Sequence, residues 1–473
     1  MTVPRANFIY FQKCRALLLF AAPLIIALLS QAGINFSDVI MLGRLGAHQL
    51  AGGALAINIF LFVTVAYIGL CSSIFVRVSS LGSQEKHQEI GSVVRKGVII
   101  ITFLSVVGFA VLFSFTTLLA YLGFTFMDIQ ETNEYLRMLS IGFLPMLWSL
   151  ILKDFICGVN KLRVIIIVSL FAIPVNVIMN YLLAYGLFGF PKMGLYGIAL
   201  STSLVNIGVC FLYICIIFFQ KAYRKFEIFN LSPRQFFADE ASLLKRFRDI
   251  GVPSSISMSL ELGLFTVSAI FMGMIGNIAL AANQIVFQCV DIGFMIVMGI
   301  SQATTFYVSQ YVANKNYLEA KSYAFHGMFL GAVTSSMMAF LFIFFHKLLI
   351  SIFIGDTTTH DVSTRLVAGS IFVVAAFSQI QDGVQNIVNG ALRGLDDTKI
   401  PMYLLIIAYW VIGVPVIYLI TFELKFGSEG VWGGIIIATT LCAIFCVRRF
   451  NWLINQRIRK SRTDVKKELV FIS

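Results

Sequence analysis

Residues 20–46 read FAAPLIIALLSQAGINFSDVIMLGRLG, and residues 250–276 read IGVPSSISMSLELGLFTVSAIFMGMIG. At an offset of 230, Pro23 falls on Pro253, Gly33 on Gly263, Gly43 on Gly273 and Gly46 on Gly276. The register continues without a gap. Leu50-Ala51 meets Leu280-Ala281, Gly69 meets Gly299, and Val78-Ser79 meets Val308-Ser309. Later in each half the offset becomes 236, and Gly194-Leu-Tyr-Gly197 lies over Gly430-Val-Trp-Gly433. A constant register across two apolar stretches marks an internal duplication.

Each of these stretches is long enough to cross a bilayer, which takes about 20 mostly apolar residues in a helix. Twelve such stretches follow one another: 16–41, 51–76, 97–122, 135–157, 164–188 and 194–219, then 250–275, 281–306, 325–353, 364–388, 401–420 and 431–447. Hydrophobic residues make up 59% of the 473 and charged residues only 12%, about half the usual share of a soluble domain. A soluble globule of this size would lack the polar side chains its surface needs. The expected fold is therefore an all-α integral membrane protein. It has twelve transmembrane helices in two six-helix bundles, 1–219 and 250–450, with a linker over 220–249 and a basic tail over 451–473. Six spans is an even number, so the two repeats run in parallel, related by a pseudo-two-fold axis along the membrane normal. Transporters are commonly built this way, with substrate held near mid-membrane.

The net charge of +12 does not point to nucleic acid, because of where the charge sits. Only six of the 35 Lys and Arg lie in the odd-numbered gaps (Arg44, Lys192 and Lys425) or at the span ends that border them (Arg137, Lys347 and Arg365). The other 29 lie at the two termini and in or beside the even-numbered gaps, which places both termini and the linker in the cytoplasm. The eight Cys are scattered, with no CxxC and no zinc spacing, so neither a metal nor a disulfide framework is expected.

The remaining signal is charge inside apolar runs. An Asp at a helix centre costs about 2.5–3.5 kcal/mol on insertion scales, and such residues usually face a cavity. Asp38, Glu261, Asp291 and Asp382 all lie well within spans. Gln31 shares a helix face with Asp38, two turns earlier. The fifth span carries Pro174, Asn176 and Asn180; the two Asn stack one turn apart and can donate to a carboxylate. Glu261 falls over Gln31 in the repeat, so the second half places its acid two turns from the Asp38 position. Asp382 sits among Gln379, Gln381, Gln385, Asn386 and Asn389, far too polar a stretch to face lipid. Asp154 and Lys153 stand near the end of the fourth span, and Asp291 has little polar company.

Taken together, SDVIMLGRLGAHQLAGGALA, PVNVIMN, SLELGLF, AANQIVFQ and DGVQNIVNGALRGLDDTKIP make the chain resemble the multidrug and toxic compound extrusion (MATE) transporters along its full length, specifically the NorM-type branch. The resemblance implies a secondary antiporter, not an enzyme. It would export cationic amphipathic drugs or dyes in exchange for H⁺ or Na⁺, by alternating access and without a cofactor. It would work as a monomer in a bacterial inner membrane, with no nucleic-acid partner. Asp38 with Asn176, Asn180 and Gln31 would form the N-lobe site, and Glu261, Asp382, Gln379 and Asn386 the C-lobe site, with Na⁺ placed at Glu261 and Asp382. Where NorM-type members often carry Tyr one turn before the tenth-span Asp, this chain has Ser378. The family gives no role to Asp154 or Asp291. A buried carboxylate holds its proton more tightly than an exposed one, so it can switch between binding a cation and binding a proton. The nearest alternative is a lipid-linked oligosaccharide flippase of the same superfamily. Flippase cavities usually hold several Arg or Lys, whereas the deep charges here are acidic. An interfacial enzyme and a channel are the other rivals. The chain offers neither a phosphate loop nor an HExxH motif for the first, and the duplicated halves do not suggest the second.

Overall fold

In the computed structural model, the described residues are 3–121, 126–229, 244–354 and 359–472, so the middle of the linker lies outside them. Among them the chain is helical, without strands. Eleven helices are long and apolar enough to cross a membrane, and a bent pair brings the number to twelve. In order these are α1 (Val3–Leu45), α2 (Ala47–Ser83), α3 (His87–Tyr121), α4 (Phe126–Ile141 and Phe143–Gly158), α5 (Arg163–Tyr185) and α6 (Leu195–Phe219). The second set is α7 (Leu244–Ile275), α8 (Asn277–Ala313), α9 (Tyr317–Phe353), α10 (Thr359–Gly394), α11 (Lys399–Glu423) and α12 (Gly427–Ile472). A single turn over Lys221–Arg224 follows α6.

Two features depart from the spans expected of the sequence. The fourth span is broken by 47° at Gly142. Pro145 has no N–H to give the carbonyl four residues earlier, so the helix ladder opens there. Gly142 also lets α4 approach α6, since a Cβ at that position would stand 2.6 Å from the Ser203 Cα. The twelfth helix runs on to Ile472, so the basic stretch beyond 450 continues a helix.

The duplication is visible in the packing. Residues 26–255 form one compact unit, and residues 1–25 with 256–473 form another. In the first unit α2 packs on α3 and α4, α3 on α4, α4 on α6 and α5 on α6. In the second, α8 packs on α9 and α10, α9 on α10, α10 on α12 and α11 on α12. Turn conformations recur at the same offsets: Glu85 and Lys315 have φ of 56° and 57°, and Asn160 and Asp396 have φ of 59° and 58°. The chain passes between units at Ile25/Ile26 and at Ser255/Ile256, which are equivalent positions of the repeat. Each unit thus contains the opening turns of the other half's first helix. Gly69 of α2 touches Ser255 of α7 in one unit, and Gly299 of α8 touches Ile25 of α1 in the other. Phe20 also stacks on Phe306 with ring centroids 4.2 Å apart.

Close helix approach holds α10 in place. Ser301 donates to the Asn386 carbonyl at 2.7 Å and Thr305 to the Gly390 carbonyl at 2.8 Å. A Cβ on Gly390 would meet the Ser301 carbonyl oxygen at 2.7 Å and the Thr305 hydroxyl at 2.9 Å. Small residues and hydroxyls of this kind replace the hydrophobic effect between helices surrounded by lipid. Gly390→Leu should therefore lower the melting temperature of the purified protein, because overpacking costs about 1–3 kcal/mol and the gain in helix propensity returns only about 1. Gly433→Ala, where nothing lies within 4 Å of the new Cβ, should leave it unchanged or raise it.

Candidate functional site

Two groups of polar side chains lie inside the apolar helices, one in each compact unit. The first is built around Asp38 on α1, which is only 3% exposed. Asn180 of α5 donates to Oδ1 at 2.7 Å, and Thr202 of α6 donates to Oδ2 at 2.7 Å. Asn180 also donates to Asn176 Oδ1 at 3.2 Å, and Asn176 donates to Thr202 Oγ1 at 3.3 Å. The four side chains thus close a ring across three helices. Ser201 fixes α6 against α5 by donating to the Asn176 carbonyl at 3.3 Å. One turn before Asp38, Ile34 packs against Ala172 and Val205, so the ring rests on an apolar floor made by the same three helices. Every donor to Asp38 is neutral, so the network solvates the carboxylate without cancelling its charge. Asn180 Oδ1 and the hydroxyl of Tyr135 are buried without a hydrogen-bond partner, and Tyr135 lies in the field of Asp38. Both are oxygens that can receive a cation or a water.

The second group joins α7 and α10. The amide of Asn386 spans two carboxylates, with Nδ2 3.3 Å from Glu261 Oε1 and 3.1 Å from Asp382 Oδ1. Asp382 is 8% exposed, and Glu261 is half-buried. Tyr409 of α11 lies beside both acids, fully buried, with its hydroxyl unpartnered; the amide nitrogen of Gln385 is unpartnered as well. Cys442 of α12 lies in the field of Glu261. Like charges held by one shared donor favour the entry of a positive charge. Among the described residues no group of three or more His, Cys, Asp or Glu is placed to hold a metal ion, so any cation here would rest on the acid pair with amide and phenol oxygens.

The structure brings Asn176 and Asn180 to Asp38, and Asn386 to Glu261 and Asp382. It leaves Gln31 apart: that side chain is exposed, and no hydrogen bond ties it to the ring among the described residues. Gln379 is buried, but its Oε1 faces Gly293 of α8, and no hydrogen bond joins it to the acids. The Ser378 hydroxyl turns back to the Ala375 carbonyl at 2.7 Å. Asp291 is half-buried on α8, and no basic side chain pairs with it among the described residues. Asp154 and Lys153 are half-buried near Cys71 and Cys157, at the end of α4. Sequence reasoning missed Thr202, Tyr135 and Tyr409. A signal for Thr202 existed, since Ser201-Thr202-Ser203 is an unusually polar run for an apolar helix. Neither tyrosine had one.

Comparison with known proteins places this geometry in a family. The MatE family profile matches residues 23–182 and 253–419, two segments that begin at the equivalent prolines Pro23 and Pro253. A probable multidrug resistance protein NorM of Agrobacterium fabrum is 30% identical over 466 residues, covering 98% of each chain. A protein of the same name from Rhizobium meliloti is 31% identical over 447 residues, covering 94% of each. Among solved structures, the eukaryotic MATE transporter AtDTX14 aligns with a TM-score of 0.86 at 17% identity, covering 96% of this chain and 99% of that one. A MOP superfamily transporter from Pyrococcus furiosus aligns with a TM-score of 0.82 at 16% identity, covering 94% and 96%. At those identities the structures speak for the fold alone. The full-length sequence matches carry the assignment: the chain belongs to the MatE family, in its NorM-type branch, and is a multi-pass membrane transporter.

Proposed function

We propose that the protein is a multidrug efflux antiporter that exports cationic amphipathic drugs or dyes in exchange for H⁺ or Na⁺. The observation that carries this reading is a carboxylate in each unit held inside the membrane by hydrogen-bond donors that do not neutralise it. Such a group keeps its charge available for an arriving cation. The names borne by the relatives from Agrobacterium fabrum and Rhizobium meliloti support the drug substrate.

The mechanism follows from competition. An ionised carboxylate can hold an organic cation or Na⁺. A protonated one has lost the charge that held them and becomes a donor itself. Drug and coupling ion then exclude each other at the same oxygens, and that exclusion links their movements. Asp38 with Asn176, Asn180 and Thr202 serves the N-lobe, proposed as residues 1–219. Glu261 and Asp382, bridged by Asn386, serve the C-lobe, proposed as residues 250–450, and are where Na⁺ would sit. The two lobes expose the sites alternately to either side of a bacterial inner membrane, with both termini in the cytoplasm and one chain sufficing.

The test is ethidium efflux from proteoliposomes of the full chain, under an imposed H⁺ gradient and then a Na⁺ gradient. Efflux driven by one of them is the expected result and names the ion. Efflux under neither would turn the reading towards a lipid or another uncharged or anionic cargo. Asp38→Asn, Glu261→Gln and Asp382→Asn should each lower gradient-driven efflux by about tenfold or more while the protein still purifies as a folded species. If all three retain full efflux, the carboxylates do not couple the cycle. Thr202→Val removes one of two donors to the ionised Asp38, a bond to a charged group worth about 1.5–3 kcal/mol, and should slow efflux strongly. Thr202→Ser keeps the hydroxyl and should restore it.

A further inference from the structure

Asp291 on α8 takes no part in either polar group, yet it is an acid well inside a span. Its neighbours on the helix surface say what it faces. Gln284, Gln288, Asp291, Met295, Met298 and Gln302 follow the spacing i, i+4, i+7, i+11, i+14 and i+18, so they form one stripe along α8. Gln284 and Gln288 are exposed, and the other four are half-buried. The opposite face, with Ala282, Val286, Ile300 and Thr304, is buried where α8 packs on α9 and α10. No hydrogen bond or ion pair holds Gln284, Gln288 or Asp291 among the described residues. Two amides and a carboxylate turned out of a helix at membrane depth are too costly to leave against lipid, so the stripe borders water. The repeat supplies a control. At the offset of 230 the equivalent positions on α2 are Ala54, Asn58, Leu61, Val65, Ile68 and Ser72, none of them charged. Packing of this helix does not require the acid.

Asp291 is also set apart from the acid pair along the helix. Ser301 bonds the Asn386 carbonyl and Thr305 the Gly390 carbonyl, so α8 and α10 run side by side at a constant offset of 85. Asp382 is then level with Val297. Asp291 lies six residues nearer the helix start, about 9 Å away at a rise of about 1.5 Å per residue. In the orientation proposed above, that is the side away from the cytoplasm.

We propose that Asp291 is the anionic centre of a separate binding position for an amphipathic organic cation, on the outward side of the acid pair. The carboxylate takes the cationic head. Met295 and Met298, one and two turns along the same stripe, meet the apolar body, because unbranched thioether side chains adapt to ligands of different shape. Gln284 and Gln288 line the water beyond. This rests on the efflux reading above and adds a step to it. A drug displaced from Glu261 and Asp382 by the coupling ion meets another carboxylate before it leaves, so the acid pair is reoccupied while the drug is still held. Asp291 therefore governs how tightly the drug binds, and Glu261 and Asp382 govern coupling.

The probe is ethidium, with binding read by fluorescence on the purified full chain and efflux read in proteoliposomes under the driving gradient. Asp291→Asn should weaken ethidium binding by about tenfold and raise the KM for efflux by a similar factor, with the maximal rate within about twofold of wild type, because it removes binding and not coupling. Asp291→Glu keeps the charge and should bind close to wild type, an outcome that loosened packing would not produce. Met295→Ala together with Met298→Ala should weaken binding by a smaller factor. On a Glu261→Gln, Asp382→Asn background, Asp291→Asn should weaken binding by a similar factor again, since separate sites act additively. Unchanged ethidium binding in Asp291→Asn overturns the proposal. If that variant does not fold, unchanged binding in the double methionine variant overturns it instead. Loss of gradient-driven efflux with ethidium binding intact also overturns it, by placing Asp291 among the coupling acids. If the wild type exports no ethidium under either gradient, it is the efflux reading that fails.

Discussion

A polar group inside a bilayer has no water to turn to, so each one must find its partner in the protein. Much of this molecule follows from that constraint. Asp38 can sit on α1 only because α5 and α6 bring Asn180 and Thr202 to its two oxygens. The need to solvate one carboxylate thus fixes three helices against each other at one level. Asn386 plays the same part in the second unit, where one amide reaches acids on α7 and α10. Serine and threonine hydroxyls elsewhere bond carbonyls of their own helix, as at Ser79, Thr304 and Thr439, and stay silent. Others reach across to a neighbouring helix, as Thr305 does to Gly390 and Trp148 to Thr102, and fasten the packing.

The duplication separates packing from chemistry. Both halves keep the same helix pairs in contact and left-handed conformations at equivalent turn positions. Their polar residues differ. The position of Asp38 is held in the second half by Ser268, whose hydroxyl bonds its own helix at Leu264. The positions of Asn176 and Asn180 are Ile412 and Val416, and those of Asp382 and Asn386 are Met146 and Leu150 in the first half. Close packing tolerates little change, because glycines such as Gly390 touch backbone and hydroxyl atoms of the next helix. A carboxylate needs only donors nearby, and different helices can supply them. The scaffold therefore stayed symmetric while the acids moved.

Much of this was legible in the residues. The spans, the repeat, the buried acids and the Asn pair on α5 all follow from composition and periodicity. Helical spacing puts Asn176 and Asn180 on one face regardless of tertiary context. The same spacing puts Gln31 on the face of Asp38, but two turns away, where its side chain is exposed. At Gln379 the i, i+3 relation to Asp382 left open which neighbour the amide would meet, and its oxygen faces Gly293. Thr202, Tyr135 and Tyr409 were out of reach for a different reason. A threonine or tyrosine in an apolar helix is ordinary, and only the approach of another helix makes it part of a site. The bend at Gly142 needed the pairing of Pro145 with the contact at Ser203, and only the proline was visible in advance.

The two polar groups offer a cation different sites. The first holds one carboxylate among neutral donors. The second holds two carboxylates bridged by one amide. Two acids offer more oxygen ligands than one, which suits a dehydrated ion. Transport needs release as much as capture, and a donor that stabilises the ionised carboxylates also weakens their pull on whatever they bind.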